Sequence, residues 1–306
     1  MSMSRIDWEH LPEHVHHAVE AHTGPVIKAE TVSDGKNSQI AAYVFTADQL
    51  VFVKGMPSDH PQHPSQQREA AINPYVAPRL APTILWRVQS GGWDLLGFEN
   101  ASGRHADYGP SSSDLPRVLR LAGEPAQVDT PPASVVRTVE QRWAAHADPG
   151  TAERWRAGRT LLHTDFASHN VLLGETRDWL IDWAWPTVGP AWVDPVVLIL
   201  RLMEAGHTAA QADAVCGVLP ACLARRRPRG GGVVLGRQRA PVEEHYRARP
   251  RTVEAAHGPH GGAMVQLLVG HGLNRCAHDA STAWRTRHAH PPSGCLSRKA
   301  TCPELT

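Results

Sequence analysis

His163, Asp165, His169 and Asn170 break into an apolar run, LLHTDFASHNVLL (residues 161–173), and Asp182 follows twelve residues after Asn170 in LIDWAW. A buried strand gains nothing from such an interruption, because each polar side chain taken from water must find a partner. The set has a chemical use. Spaced as His163-x-Asp165-x4-Asn170 and joined by Asp182, it offers oxygen atoms on neighbouring turns, as phosphoryl transfer from a nucleotide requires. Asp165 suits the carboxylate that orients an attacking hydroxyl and takes its proton. Asn170 and Asp182 suit the amide oxygen and second carboxylate that hold a magnesium ion on the phosphates. His163 and His169 beside Asp165 are also residue types found at zinc sites, but the asparagine and Asp182 fit magnesium better. His163 by itself reads as a structural histidine bonded to a backbone carbonyl, and His169 as an exposed loop residue.

The same chemistry needs a cation on the α- and β-phosphates, held in place by an acid. Lys54, in VFVKG, is the only lysine between residues 37 and 298 and ends a strand-like run. Glu69, in QQREAAINPYV, sits on the helix expected from about 66 to Pro74 and Val76. A strand lysine paired with a glutamate on the next helix is the arrangement protein kinases use.

The surrounding elements are readable in outline. A short helix is expected over residues 6–22, limited by Pro12. IAAYVFT and LVFVKG carry the β-branched and aromatic residues of two strands, joined by the turn TADQ. SDHPQHPSQ (58–66) reads as a loop, and APTILWRV and GWDLLGFEN as strands joined by SGG. Residues 114–160 look mainly helical, with 133–147 the clearest amphipathic piece. RTLLHTD, NVLLG and DWLIDWAW are short strand-like runs around the polar cluster. Asp194-Pro195 has the form of a helix cap and first turn leading into VVLILRLMEAG, stopped by Gly206, and Thr208 caps a further helix. The tryptophans at 179, 183, 185 and 192 read as packing around the Asp182 segment.

Composition limits the classes. At 306 residues the chain has ample material for one large domain or two lobes. Its net charge of +1 gives no field for nucleic acid or a membrane surface. The N-terminal residues have no apolar stretch of a secretory signal, and VVLILRLM (196–203), interrupted by Arg201, is too short to span a bilayer. The expectation is a cytoplasmic protein with reduced thiols. The averages hide a split: residues 224–306 hold 14 basic against 5 acidic side chains, leaving 17 against 25 in the first 223. That final run has no sustained period and is rich in Arg, Pro, Gly and His, so an irregular, largely disordered tail is expected. It reads as a GC-rich coding stretch translated in a shifted frame, a hypothesis that resequencing the locus would test through an intact in-frame continuation.

The motifs resemble the aminoglycoside phosphotransferase-like branch of the protein-kinase-like fold, over roughly residues 25–215. LLHTDFASHNVLL resembles that family's catalytic loop, and LIDWAW its metal-binding segment, with Trp183 in place of the kinase phenylalanine. VFVKG and QREAAINPYV match its nucleotide lysine and helix glutamate. LLGFENASGR is similar to its linker between lobes, whose backbone bonds adenine, which implies Phe98, Glu99 and Asn100. Gly35 and Ser38, in SDGKNSQ, stand where the nucleotide-covering turn would be, without the full glycine-rich loop of protein kinases. WVDPVVLILRL resembles the helix whose aspartate, here Asp194, buttresses the catalytic loop, with His163 as a further support.

The resemblance implies an α+β, bilobal protein-kinase-like fold: a small N-terminal antiparallel sheet with one helix, then a mainly helical C-terminal lobe. The expected divisions are 1–100, 101–222 and an irregular 223–306. It further implies ATP or GTP as co-substrate, Mg2+, and a small-molecule hydroxyl acceptor, an aminoglycoside or related metabolite. No nucleic-acid or membrane partner is expected. The alternative is a nucleotide-binding pseudoenzyme with an incomplete acceptor lobe, because the irregular tail stands where the family continues through further helices.

Overall fold

The computed structural model describes residues 5–32, 38–143, 145, 155–156 and 158–219. The readings made above for Gly35 and for the tail beyond 222 lie outside these residues. Five strands, β1 (Lys28–Thr31), β2 (Ile40–Phe45), β3 (Leu50–Pro57), β4 (Ile84–Ser90) and β5 (Trp93–Glu99), form an antiparallel sheet in the order β1-β2-β3-β5-β4. The TADQ turn between β2 and β3 is closed by Thr46, whose backbone and hydroxyl both bond Gln49. Period-two alternation sorts the side chains of β3: Val51 and Val53 go to the core and Lys54 to the opposite face. The core face is covered by α1 (Glu13–Thr23), whose Val15 and Val19 are fully buried against Ile40, Val44 and Leu95.

Gly55, next to Lys54, is required by the closeness of β5. A Cβ there would lie 2.5 Å from the Asp94 carbonyl oxygen, a backbone atom that cannot swing aside. Gly55→Ala is therefore expected to lower stability by roughly 1–3 kcal/mol. An unchanged denaturation midpoint would contradict this packing.

α2 (His63–Val76) is the one helix between β3 and β4. It starts inside the stretch expected as a loop, because Pro64 falls in the first turn, where its missing N–H is no loss. Pro74 does not end it, and the last turn is pinned by Asn73, which donates to the Pro82 carbonyl and accepts from the Ile84 N–H. At the other end His63 Nε2 lies 2.6 Å from the buried Asp94 carboxylate, and Gln66 donates to the Asp94 carbonyl. Gln66, Glu69 and Asn73 share the buried face that this clamping fixes.

Among the described residues, two small sheets and four α-helices follow. β6 (Arg104–His105), β9 (Val171–Leu173) and β10 (Asp178–Leu180) pair antiparallel. β7 (Arg137–Thr138) runs parallel to β11 (Thr187–Gly189), which pairs antiparallel with β8 (Thr160–Leu162). The helices are α3 (Leu115–Gly123), α4 (Val139–Trp143), α5 (Val193–Glu204) and α6 (Ala209–Cys216). The larger core joins Ile72 and Val76 of α2 to Leu161, Phe166, Leu180, Trp183, Leu198 and Leu202.

Two expectations need correction. Over 133–147 the described residues form β7 and the single short helix α4, since pairing with β11 draws Arg137 and Thr138 into a strand and overrides helical periodicity. Asp194 does not cap its helix: Trp192 holds that position, and the aspartate lies one residue inside α5 with its side chain turned to the loop at His163 and Thr164. Trp185 is half-buried, whereas Trp179 and Trp183 are packed inside. Thr208 does cap α6, in a reciprocal box with Gln211. Among the described residues no helix is long and apolar enough to cross a membrane.

Candidate active site

The strand face of β3 and the buried face of α2 meet at Lys54. Its Nζ lies 2.6 Å from Glu69 Oε2 and 3.3 Å from Asp182 Oδ1, with the Phe98 ring centroid 5.7 Å away. Burial opposes the Lys54 charge, but the two carboxylates outweigh it and hold the ammonium above its ordinary pKa. Asp182 is likewise held below the usual carboxylate range, since the Lys54 charge more than offsets its burial. Both side chains are therefore ionised at neutral pH.

The segment of Asp182 is joined to the 163–170 loop through the backbone. The Ile181 N–H donates to the Asn170 carbonyl at 2.9 Å, and the Asn170 side-chain Nδ2 donates to the Asp165 carbonyl at 3.0 Å. With its NH2 committed, Asn170 presents Oδ1 as the atom free to meet a cation. His163 Nε2 reaches the Ile181 carbonyl at 3.0 Å, and its ring packs edge-on to Trp183 at 4.7 Å. Burial lowers the His163 pKa, so the ring is neutral.

Thr164 and Asp182 both have left-handed backbones, at φ 66° and 62°. Such a conformation in a non-glycine residue costs on the order of 1–3 kcal/mol and persists only where surroundings impose it. Asp194 imposes it on the loop, accepting the His163 N–H at 2.8 Å and the Thr164 N–H at 2.9 Å. Burial pushes the Asp194 carboxyl up to about 7, against the pull of these donors and of Arg142. Arg142 adds a second brace, from Nη1 to the Thr164 hydroxyl at 2.7 Å.

Of the remaining candidates, Glu99 is committed to the sheet: its N–H donates to the Thr83 carbonyl, and its carboxylate accepts from the Thr83 N–H and hydroxyl. Asn100 is exposed just beyond β5, Ser38 is half-buried before β2, and His169 is exposed. Among the described residues no group of three His, Cys, Asp or Glu is placed to hold a metal.

No protein-family model matches the sequence, and no curated protein matches it significantly. Solved structures do. A thermostable mutant of aminoglycoside phosphotransferase APH(4)-Ia, in ternary complex with ADP and hygromycin B, superposes with a TM-score of 0.50 at 15% identity, covering 90% of this chain and 99% of that one. The fold is kinase-like, of the aminoglycoside phosphotransferase type. Choline kinase LicA from Streptococcus pneumoniae (TM-score 0.47, 11% identity, 91% of this chain and 92% of that one) and spectinomycin phosphotransferase APH(9)-Ia (0.45, 12%, 69% and 83%) are also similar.

Within this kinase-like fold two arginines touch the loop without belonging to any motif. Arg201, on α5, places Nη2 2.9 Å from Asp165 Oδ1 and Nη1 2.9 Å from Glu204. Its only sequence signal is its isolation in the apolar run VVLILRLM. Arg142 has no such signal, because nothing local marks it as a partner of Thr164.

Proposed function

We propose that the protein transfers the γ-phosphate of a nucleotide to a hydroxyl group of a small molecule. The observation that carries this reading is one chain of contacts: Lys54 bridges Glu69 and Asp182, the Ile181 N–H next to Asp182 bonds the Asn170 carbonyl, and the Asn170 side chain bonds the Asp165 carbonyl. Lys54 binds the nucleotide phosphates and Glu69 keeps it aimed. Asp165 accepts the proton of the acceptor hydroxyl. The oxygen so freed forms a bond to the γ-phosphorus as the bond to the nucleoside diphosphate breaks. Arg201 fixes the rotamer of Asp165 through Oδ1, leaving its second oxygen for the hydroxyl. The neutral His163 props the Asp182 segment and takes no part in proton transfer.

The donor set suits magnesium. Asn170 offers an amide oxygen and Asp182 an ionised carboxylate, both hard ligands that leave room for phosphate oxygens and water. Bound there, the ion would neutralise charge on the phosphates. ATP or GTP is the co-substrate, and Phe98 to Asn100 line the adenine or guanine side of the cleft in this reading.

The test is transfer of label from γ-labelled ATP or GTP, with Mg2+, to a panel of alcohols, amino alcohols, sugars and aminoglycosides. Labelled product is expected from at least one acceptor. Mg-nucleotide binding with no transfer to any member would replace this reading with that of a binding protein, and absence of both would end it.

A further inference from the structure

A cluster of guanidinium groups beside the catalytic loop has no part in the chemistry above. Arg68 leaves α2 one residue before Glu69, donates from Nε to the Ala184 carbonyl at 3.0 Å, and stacks on Trp185 with its Cζ 4.3 Å from the ring centroid. Arg142 stacks on the same tryptophan at 5.1 Å, while its Nη1 serves Thr164 Oγ1, the Trp185 carbonyl and Thr187 Oγ1. Arg137 is exposed on β7, in register with Thr187 of β11. The three charges sense one another. Burial and then Arg137 lower the pKa of Arg68, and burial followed by Arg68 brings Arg142 down to about 10.

Among the described residues none of the three forms an ion pair. The carboxylates whose charge reaches Arg142 are Asp194 and Asp165, and both are engaged elsewhere: Asp194 by two loop N–H groups, Asp165 by Arg201. Glu69 and Asp182 are both engaged by Lys54. Two like charges thus stack on one half-buried ring, with the Arg137 charge close enough to reach both, and among the described residues none of the three has an ion-pair partner, an arrangement that is unfavourable until an anion joins it. Guanidinium forks match carboxylate and phosphate oxygens in pairs.

We propose that Arg68, Arg137 and Arg142 form an anion subsite, floored by Trp185, that holds a carboxylate or phosphate group of the acceptor. Arg142 bonds Thr164, the residue before Asp165, so an acceptor anchored here by its anionic end extends its hydroxyl toward the base. The inference rests on the phosphotransferase reading and narrows it: the acceptor is a hydroxy acid or a phosphorylated alcohol, whereas a polycationic aminoglycoside would be repelled.

The test is calorimetric titration of the full chain, saturated with Mg2+ and AMP-PNP to cover Lys54, with glycerol, D-glycerate and sn-glycerol 3-phosphate. Binding of one or both anions but not of glycerol is expected, and the arm that binds identifies carboxylate or phosphate as the group. Arg137→Gln, on an exposed strand, and Arg68→Gln should each weaken that binding by roughly tenfold while leaving the AMP-PNP titration unchanged. Equal binding by both variants and the unaltered chain overturns the subsite, as does anion silence in a chain that binds AMP-PNP. Arginine-dependent anion binding in a chain that fails to bind AMP-PNP keeps the subsite and removes the phosphotransferase reading instead.

Discussion

Asp165→Asn should lower the rate of γ-phosphate transfer by about 10²–10⁴-fold while leaving nucleotide affinity nearly unchanged. The amide keeps the shape of the carboxylate and still accepts a hydrogen bond from Arg201, so the loop has no reason to rearrange. What it loses is the ability to take a proton. In the proposed reading the phosphates are met by Lys54, Asn170 and Asp182, none of which bonds the Asp165 side chain. Steady-state transfer to whichever acceptor the panel identifies, alongside a nucleotide titration, separates the two effects. Retained turnover would remove Asp165 from its role. An equal loss of nucleotide binding would mean that the residue is structural.

Asp194→Asn is expected to lower both stability and turnover. The buried carboxylate receives two N–H groups of the strained loop, one on each oxygen. An amide supplies one oxygen and turns its own NH2 against the second donor, leaving a buried N–H without a partner. Such a defect costs roughly 1–3 kcal/mol, read as a lower denaturation midpoint, and the released strain at Thr164 should also reduce turnover. The pH dependence carries a sign. Asp194 has an ordinary value of 3.8 and a folded value of about 7, so between these the folded chain holds a proton that the unfolded chain has released. Its contribution to stability is full below the lower value and is lost as pH rises through the upper one. Denaturation midpoints measured from pH 4 to 8 should show this fall in the native chain and lack that component in Asp194→Asn. Identical slopes would contradict the assignment.

The motif residues were legible because each lies in a short, locally patterned segment whose spacing is preserved from sequence to structure. Lys54 lies within the alternating strand β3, which runs on to Pro57 rather than ending at the lysine, Glu69 lies on the helix that follows, and Asp165 to Asn170 is a single loop, so their neighbourhoods could be named from local pattern. The braces were not legible. Arg201 meets Asp165 from 36 residues away, and Arg142 meets Thr164 across 22. Neither contact has a local signature, because both arise only once α4 and α5 have docked. Asp194 shows the same limit: an aspartate followed by proline reads as a cap, and only the tertiary position of the loop turns its side chain to His163 and Thr164. The error over 133–147 has the opposite origin. Its helical periodicity is real, but Arg137 and Thr138 find a strand partner in β11 that the segment alone cannot announce.

The most direct measurement of the shared pocket is calorimetric titration of AMP-PNP into the full chain, with and without Mg2+, repeated for Lys54→Met and Asp182→Asn. If one cleft gathers these groups, binding depends on Mg2+, Lys54→Met weakens it about tenfold or more through loss of a charge-assisted contact, and Asp182→Asn removes the Mg2+ dependence. Affinity that is indifferent to the ion and to both substitutions would contradict the account.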